Sequence, residues 1–187
     1  MEVKDKESLE QFEEDIIEVY GLKPSHGFHR SGKTGKPIPF VLLLSKRAYE
    51  DLLSYCSFNS RTWSVPNKIK RSNKSIKREF LRALFDDEGT VIKHSQKRAE
   101  VRFYSINHEG ISQIQILLKE FNIESRIKEG YGSKRNVYGL IVLNTELFRE
   151  KVGFNLKRKQ LILEEVKQGK EKKSPSPMSP LSRIFVF

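Results

Sequence analysis

The stretch that decides how this chain is read runs from Phe80 to Val91, "FLRALFDDEGTV". Phe80, Leu81, Leu84 and Phe85 recur at helical spacing and mark the apolar side of a helix beginning near Lys77. Ala83 is small enough to let a neighbouring backbone come close, and Gly89 is placed as the left-handed residue that ends the helix. Asp86, Asp87 and Glu88 crowd the last turn, where unpaired carbonyls form the negative pole and cations are favoured. Each acid there costs about 0.3–1 kcal/mol, so selection for stability alone would place lysines. Two readings stand: a solvated acidic turn, or oxygen ligands gathered round a divalent cation.

The charge balance bears on that choice. Lys and Arg outnumber Asp and Glu by 35 to 24, a surplus that attracts polyanions over long range, so nucleic acid is the first partner to consider. The 187 residues suffice for one domain or two small lobes with a core of their own. No apolar run approaches the roughly 20 residues that cross a bilayer, and the start "MEVKDKESLE" lacks the pattern of a secretory signal. An intracellular, cytoplasmic protein is the expectation. The single cysteine, Cys56, excludes an intrachain disulfide and a cysteine-based zinc site.

Working outward, "SLEQFEEDIIEVYGL" is an amphipathic helix, "KPIPFVLLLS" a strand whose start is limited by Pro37 and Pro39, and "KRAYEDLLSYC" a second helix. Residues 59–78 form a basic connector, with Lys68, Lys70, Arg71, Lys74, Lys77 and Arg78 placed to touch phosphates or solvent. Beyond the acidic turn, "TVIKHS" and "AEVRFYSIN" form a hairpin, and "EGISQIQILLKEFNI" is a helix. "ESRIKEGYG" and "NVYGLIVLN" form a second hairpin, followed by a largely helical segment with a break at Gly153. Residues 169–187 are rich in Pro, Ser and Lys and are read as a disordered tail. Helix, "YGL", hairpin, "VLLLS", helix near the start recurs about 100 residues later as helix, "FNI", hairpin, "LIVLN", helix.

"GFHRSGKT", Gly27 to Thr34, matches a phosphate-binding loop letter for letter, but that chemistry needs a buried strand before it and a helix directly after. Gly35, Pro37 and Pro39 follow instead, so a basic hairpin tip is the reading and nucleotide hydrolysis is rejected.

"FLRALFDDEGTV" resembles the signature of the LAGLIDADG homing endonucleases over Leu81 to Gly89, and the downstream element order is that family's repeat. The lead-in "WSVPNKIKRSNKSIKREF" is similar to the linker before the second motif of single-chain and intein-borne members. The resemblance implies an α+β fold: residues 1–58 a partial αββα repeat, 59–78 a linker, and 79–168 an αββαββα repeat with a saddle-shaped antiparallel sheet. It implies double-stranded DNA as partner and Mg2+ as cofactor for phosphodiester hydrolysis; the alternative is a non-catalytic DNA-binding regulator or a decayed endonuclease. By that match Glu88 holds the metal with the Asp87 carbonyl beside it, and Asp86 is structural. Asn107 falls where an amide positions water, and Lys157, with Lys159 as the neighbouring choice, where a lysine stabilises phosphoryl charge. Family members that cut both strands bring two acidic helices together. This chain has one, so a homodimer through Leu81–Glu88 is the expected way to supply the second.

Strand alternation yields a candidate DNA surface. Val101 and Phe103 face the core, so Arg98, Arg102 and Tyr104 face outward, with Ile92, His94 and Gln96 on the partner strand. Arg126 and Lys128 alternate with Ile127 in the second hairpin, whose tip carries Lys134 and Arg135. This polar face reads as basic rather than mixed. His94 is assigned to DNA contact or plain exposure rather than metal binding, because no second His or Cys stands at ligand spacing.

Overall fold

A computed structural model describes residues 6–32, 34–57, 59–95, 98–133 and 135–171, with side chains to 166. Gln96, Lys134 and the tail after 171 lie outside the described residues. Helix α1 (Lys6–Tyr20), strands β1 (Ser25–Arg30) and β2 (Pro37–Leu42) and helix α2 (Lys46–Tyr55) form the first lobe. A short α3 (Asn67–Lys70) leads into α4 (Lys74–Asp87), β3 (Gly89–Ser95), β4 (Arg98–Ser105) and α5 (His108–Glu120). Then come β5 (Ser125–Tyr131), β6 (Val137–Val142), α6 (Thr145–Lys151) and α7 (Lys157–Glu171). The αββαββα order expected after residue 79 is the order observed, and Gly153, with φ of 68°, marks the break between α6 and α7.

Helix starts are written locally. Ser45, Asn73, Asn107 and Asn144 each accept a hydrogen bond from the backbone N–H three residues on, the geometry that satisfies an orphan donor at a helix start. Asn73 is why α4 begins at Lys74, a turn earlier than its apolar spacing implied. Lys77 is thereby drawn into the structure: it is buried and paired with Glu120 at 2.6 Å, so it is not free to touch phosphate. The connector is similarly engaged, since Val65 is buried and Trp63 lies against Gly110, where a β-carbon would run into the indole ring.

The second sheet is antiparallel throughout in the order β3-β4-β6-β5. Its inner face carries Val101, Phe103 and Leu140 onto α4, α5 and α6. Phe85 of α4 packs on Phe103 at 5.7 Å and on Phe148 of α6 at 4.9 Å between ring centres, which locks the acidic helix to the sheet. Burying one such ring is worth about 1.5–3 kcal/mol.

Gly89 opens β3 and does not adopt the left-handed conformation expected of it. Its glycine is required by space, because a β-carbon there would run into the carbonyl oxygen and ring of Phe85. Gly89→Ala is therefore expected to lose about 1–3 kcal/mol of stability, measurable by urea unfolding; an unchanged midpoint would show that the helix–strand junction can relax.

The first lobe is thinner. Its buried apolar residues among those described are Ile16, Ala48 and Pro24. Gly27 to Arg30 lie in β1 and a strand, not a helix, follows the "GFHRSGKT" segment, so the phosphate-loop geometry is absent from the described part of it. Among the described residues no helix is long and apolar enough to cross a membrane.

Candidate functional site

The acids at the end of α4 divide into different roles. Asp86 is buried and accepts the backbone N–H groups of Asn155 at 3.0 Å and Leu156 at 3.2 Å, tying α4 to the entry of α7. Burial pushes its carboxyl above the ordinary range, while the Leu156 and Asn155 N–H groups and Lys159 pull it back. Asp87 and Glu88 are exposed. The Asp87 carboxyl is also pushed up, first by desolvation and further by Asp15 of α1, with Lys159 opposing.

The cation that this helix end calls for comes from the chain itself. Lys159 is buried, and its Nζ donates to the carbonyl oxygens of Phe85 at 3.0 Å, Gly89 at 2.6 Å and Asp86. An ammonium group thus occupies the negative pole of α4. The carbonyls of Phe85, Asp86 and Gly89 are thus engaged by a cation of the chain itself. Burial is the main reason that the Lys159 pKa is lowered, helped by Arg158, while Asp86, Asp87 and Glu88 act to raise it.

Two further candidates are placed by the fold. Lys157 is exposed at the start of α7, where its backbone N–H meets Glu7, so the lysine at the acidic helix is Lys159, two positions on. Asn107 is buried; its Oδ1 caps α5 through Gly110 and its Nδ2 donates to the Trp63 carbonyl at 2.6 Å. Both ends of the amide are engaged within the fold, where Asn107 caps α5 and ties it to the connector. Ala83 does line a helix-facing cleft, but the facing helix is α1, through Ser8, Phe12 and Asp15.

Asp87 borders the cleft to α1 with Asp15, while Glu88 borders a separate cavity with Tyr104. Among the described residues no group of three or more His, Cys, Asp or Glu is arranged to hold a metal ion. Two adjacent carboxylates are hard oxygen donors that suit Mg2+ when phosphate oxygens and water complete its shell.

The outward face of the second sheet collects the residues expected there. Gly89 pairs with Phe103 and Thr90 with Arg102, so Glu88 falls beside Tyr104, and both border one cavity with Trp63, Phe80 and Leu84. Ile92 sits opposite Glu100, and Arg102 and Arg126 flank Ile141 from β4 and β5. Arg98, His94, Arg126, Lys128 and Arg135 are exposed. The expected uniformly basic face is corrected at its centre by Glu100, which shares the parity of Arg102. Glu100 accepts from Arg102 Nε at 2.7 Å and Nη2 at 3.0 Å and is 3.0 Å from His94 Nε2. The alternation "AEVRFY" already placed this acid on the outer face; the count of basic neighbours obscured it.

Chiefly through the Arg102 hydrogen bond, the Glu100 carboxyl is lowered from 4.5 to about 2. A folded-state pKa below the unfolded one adds stability that is full above the unfolded value and is lost as pH falls through the folded one. The stability gap between the native protein and Glu100→Gln is therefore expected to shrink as pH is lowered from about 5 to about 2. Melting curves of both proteins across that range check this, and a gap that widens would contradict the pairing.

With this geometry in place, the relatives are informative. Residues 75–153 match the family model of the LAGLIDADG-like domain. Residues 75–153 are thus similar to a LAGLIDADG-like domain, and the chain is built on an α+β fold with antiparallel sheets. The homing endonuclease I-DmoI, solved with DNA and Ca, shares the fold at a TM-score of 0.56 and 16% identity, over 88% of this chain and 78% of that one. Full-length WhiA from Thermatoga maritima shares it at 0.56 and 19% identity, over 88% of this chain and 49% of that one. The replication factor C small subunit of Methanocaldococcus jannaschii is 29% identical over 153 residues, 74% of this chain and 8% of that protein. The chain spans only 8–12% of the length of the first curated relatives it matches.

Proposed function

We propose that this chain binds double-stranded DNA on the outer face of its four-stranded sheet and, with Mg2+, hydrolyses a phosphodiester beside Glu88. The observation that carries the reading is the register that sets Glu88 next to Tyr104, at the border of a face bearing Arg98, Arg102, Arg126 and Lys128. Asp87 and Glu88 would hold the ion, which when bound polarises a phosphoryl oxygen. Arg98, Arg126, Lys128 and Arg135 neutralise backbone phosphates, and Lys159 keeps the end of α4 in place. The DNA-bound homing endonuclease with the same fold supports the assignment.

A second reading, a DNA-binding regulator that does not cut, is favoured by one observation: Lys159 takes the carbonyls that a metal would otherwise share. Binding and nicking separate the two. Contacts from the four phosphate-facing cations would give log affinity against log salt a slope of about −3 to −4 on mixed-sequence duplex. Mg2+-dependent nicking of a plasmid carrying a selected site supports the nuclease; salt-sensitive binding with no nicking supports the regulator. Affinity indifferent to salt would overturn both.

A further inference from the structure

Glu100 is the anomaly of the outer face. A carboxylate on a surface that meets phosphates weakens binding to every DNA sequence, and the fold nevertheless places it beside Arg102 in the second of four strands. Its two oxygens grip the Nε and Nη2 atoms of Arg102 at 2.7 and 3.0 Å, a side-on fork. His94 Nε2, 3.0 Å from Oε2, holds the carboxylate from β3. Arg102 Nη1 donates to the Tyr104 hydroxyl at 3.1 Å, and the Tyr131 ring lies 6.0 Å from the guanidinium while packing edge-on against Tyr104. The arginine is held on several sides.

A guanidinium has five N–H donors, and this arrangement uses three. One hydrogen on each of Nη1 and Nη2 remains, at the end of the side chain. An unrestrained arginine on a DNA-binding face swings to the nearest phosphate. One fixed by a carboxylate has already lost its rotamer freedom and presents a set edge to whatever enters the groove. Arg98 and the outer-strand pair Arg126 and Lys128 stand around it to engage the backbone.

We propose that Glu100 is a positioning residue that sets Arg102 to read guanine, whose O6 and N7 acceptors in the major groove match the free Nη1–Nη2 edge. The inference rests on the outer face being the DNA-binding face, and it goes further by assigning base selection to one arginine and its orientation to one acid.

Selection from a randomised duplex pool in EDTA, which separates binding from cleavage, tests it. The native protein is expected to enrich a site with a guanine whose replacement weakens binding about ten- to a hundredfold. Arg102→Lys should lose the preference at that position while keeping affinity for mixed-sequence duplex within a few fold. Glu100→Gln should flatten the same preference and bind mixed-sequence duplex more tightly, an increase that a merely structural acid would not couple to one base. If Arg102→Lys selects the same guanine as the native protein, Arg102 is not the reader. If Glu100→Gln keeps the preference whole, Glu100 does not position it. Enrichment with no guanine dependent on Arg102 also overturns the proposal, whereas failure of the native protein to retain any duplex at low salt overturns the DNA-binding reading itself. Thermal melting of each variant establishes that it is folded.

Discussion

Lys159→Met is expected to lower the stability of the fold by about 3–5 kcal/mol, the scale set by removing one partner from a buried charged network. Methionine keeps most of the side chain's bulk, so the loss falls on hydrogen bonding. The carbonyls of Phe85, Asp86 and Gly89 would each lose the ammonium donor, and an unsatisfied buried acceptor costs about 1–3 kcal/mol. The buried Asp86 carboxylate would also lose the cation that favours its charged form. Lys157→Met, two residues away and exposed, should change stability by no more than about 0.5 kcal/mol. Urea unfolding of the two variants decides the matter, and equal effects would mean that the helix end does not depend on Lys159.

The pH dependence gives a second handle on the same residue. Because the folded-state pKa of Lys159 lies below 10.5, the unfolded chain binds more protons between the two values, so this group makes stability rise with pH across that alkaline window. The rise should be missing in Lys159→Met. Asp86 acts in the opposite sense in acid: its raised pKa makes stability fall as pH increases from 3.8 through the folded value.

Glu88→Gln carries the largest expected effect on activity. Glutamine preserves size and hydrogen-bonding reach but removes the charge that would hold a divalent ion, so Mg2+-dependent nicking should drop by at least about a hundredfold, as when one transition-state contact is lost. Stability should move by less than about 0.5 kcal/mol, since Glu88 is exposed. Affinity for duplex in EDTA should hold or increase slightly. Asp86→Asn is the contrasting variant: it weakens the acceptor for Asn155 and Leu156 and should show first in stability. Nicking by Glu88→Gln at the native rate would remove Glu88 from the chemistry while leaving the sheet's role in DNA binding intact.

The order of helices and hairpins, the break at Gly153 and the division of β4 into inner and outer residues were all legible in the sequence, because each is a repeat of period 3.6 or 2 or a local stop signal. Asp86 was readable as structural only through resemblance. Capping and water positioning use the same kind of amide, and only the proximity of Trp63 and Gly110 shows the part Asn107 plays in the fold. Lys157 and Lys159 were indistinguishable along the chain. Two residues on a helix differ by roughly 200° in direction, so one faces solvent and the other enters the core, and the docking of α7 against β3 and β4 decides which.

By itself, then, the sequence determined the αββαββα repeat, the basic character of the chain and the acids at the end of α4, all properties of neighbouring residues. Only the tertiary structure decided what neutralises that helix end, which helix stands across the cleft from Ala83 and which acid grips Arg102. Those outcomes depend on distances between groups far apart in the chain or on opposite edges of a pleat, which local spacing leaves free and packing makes unique.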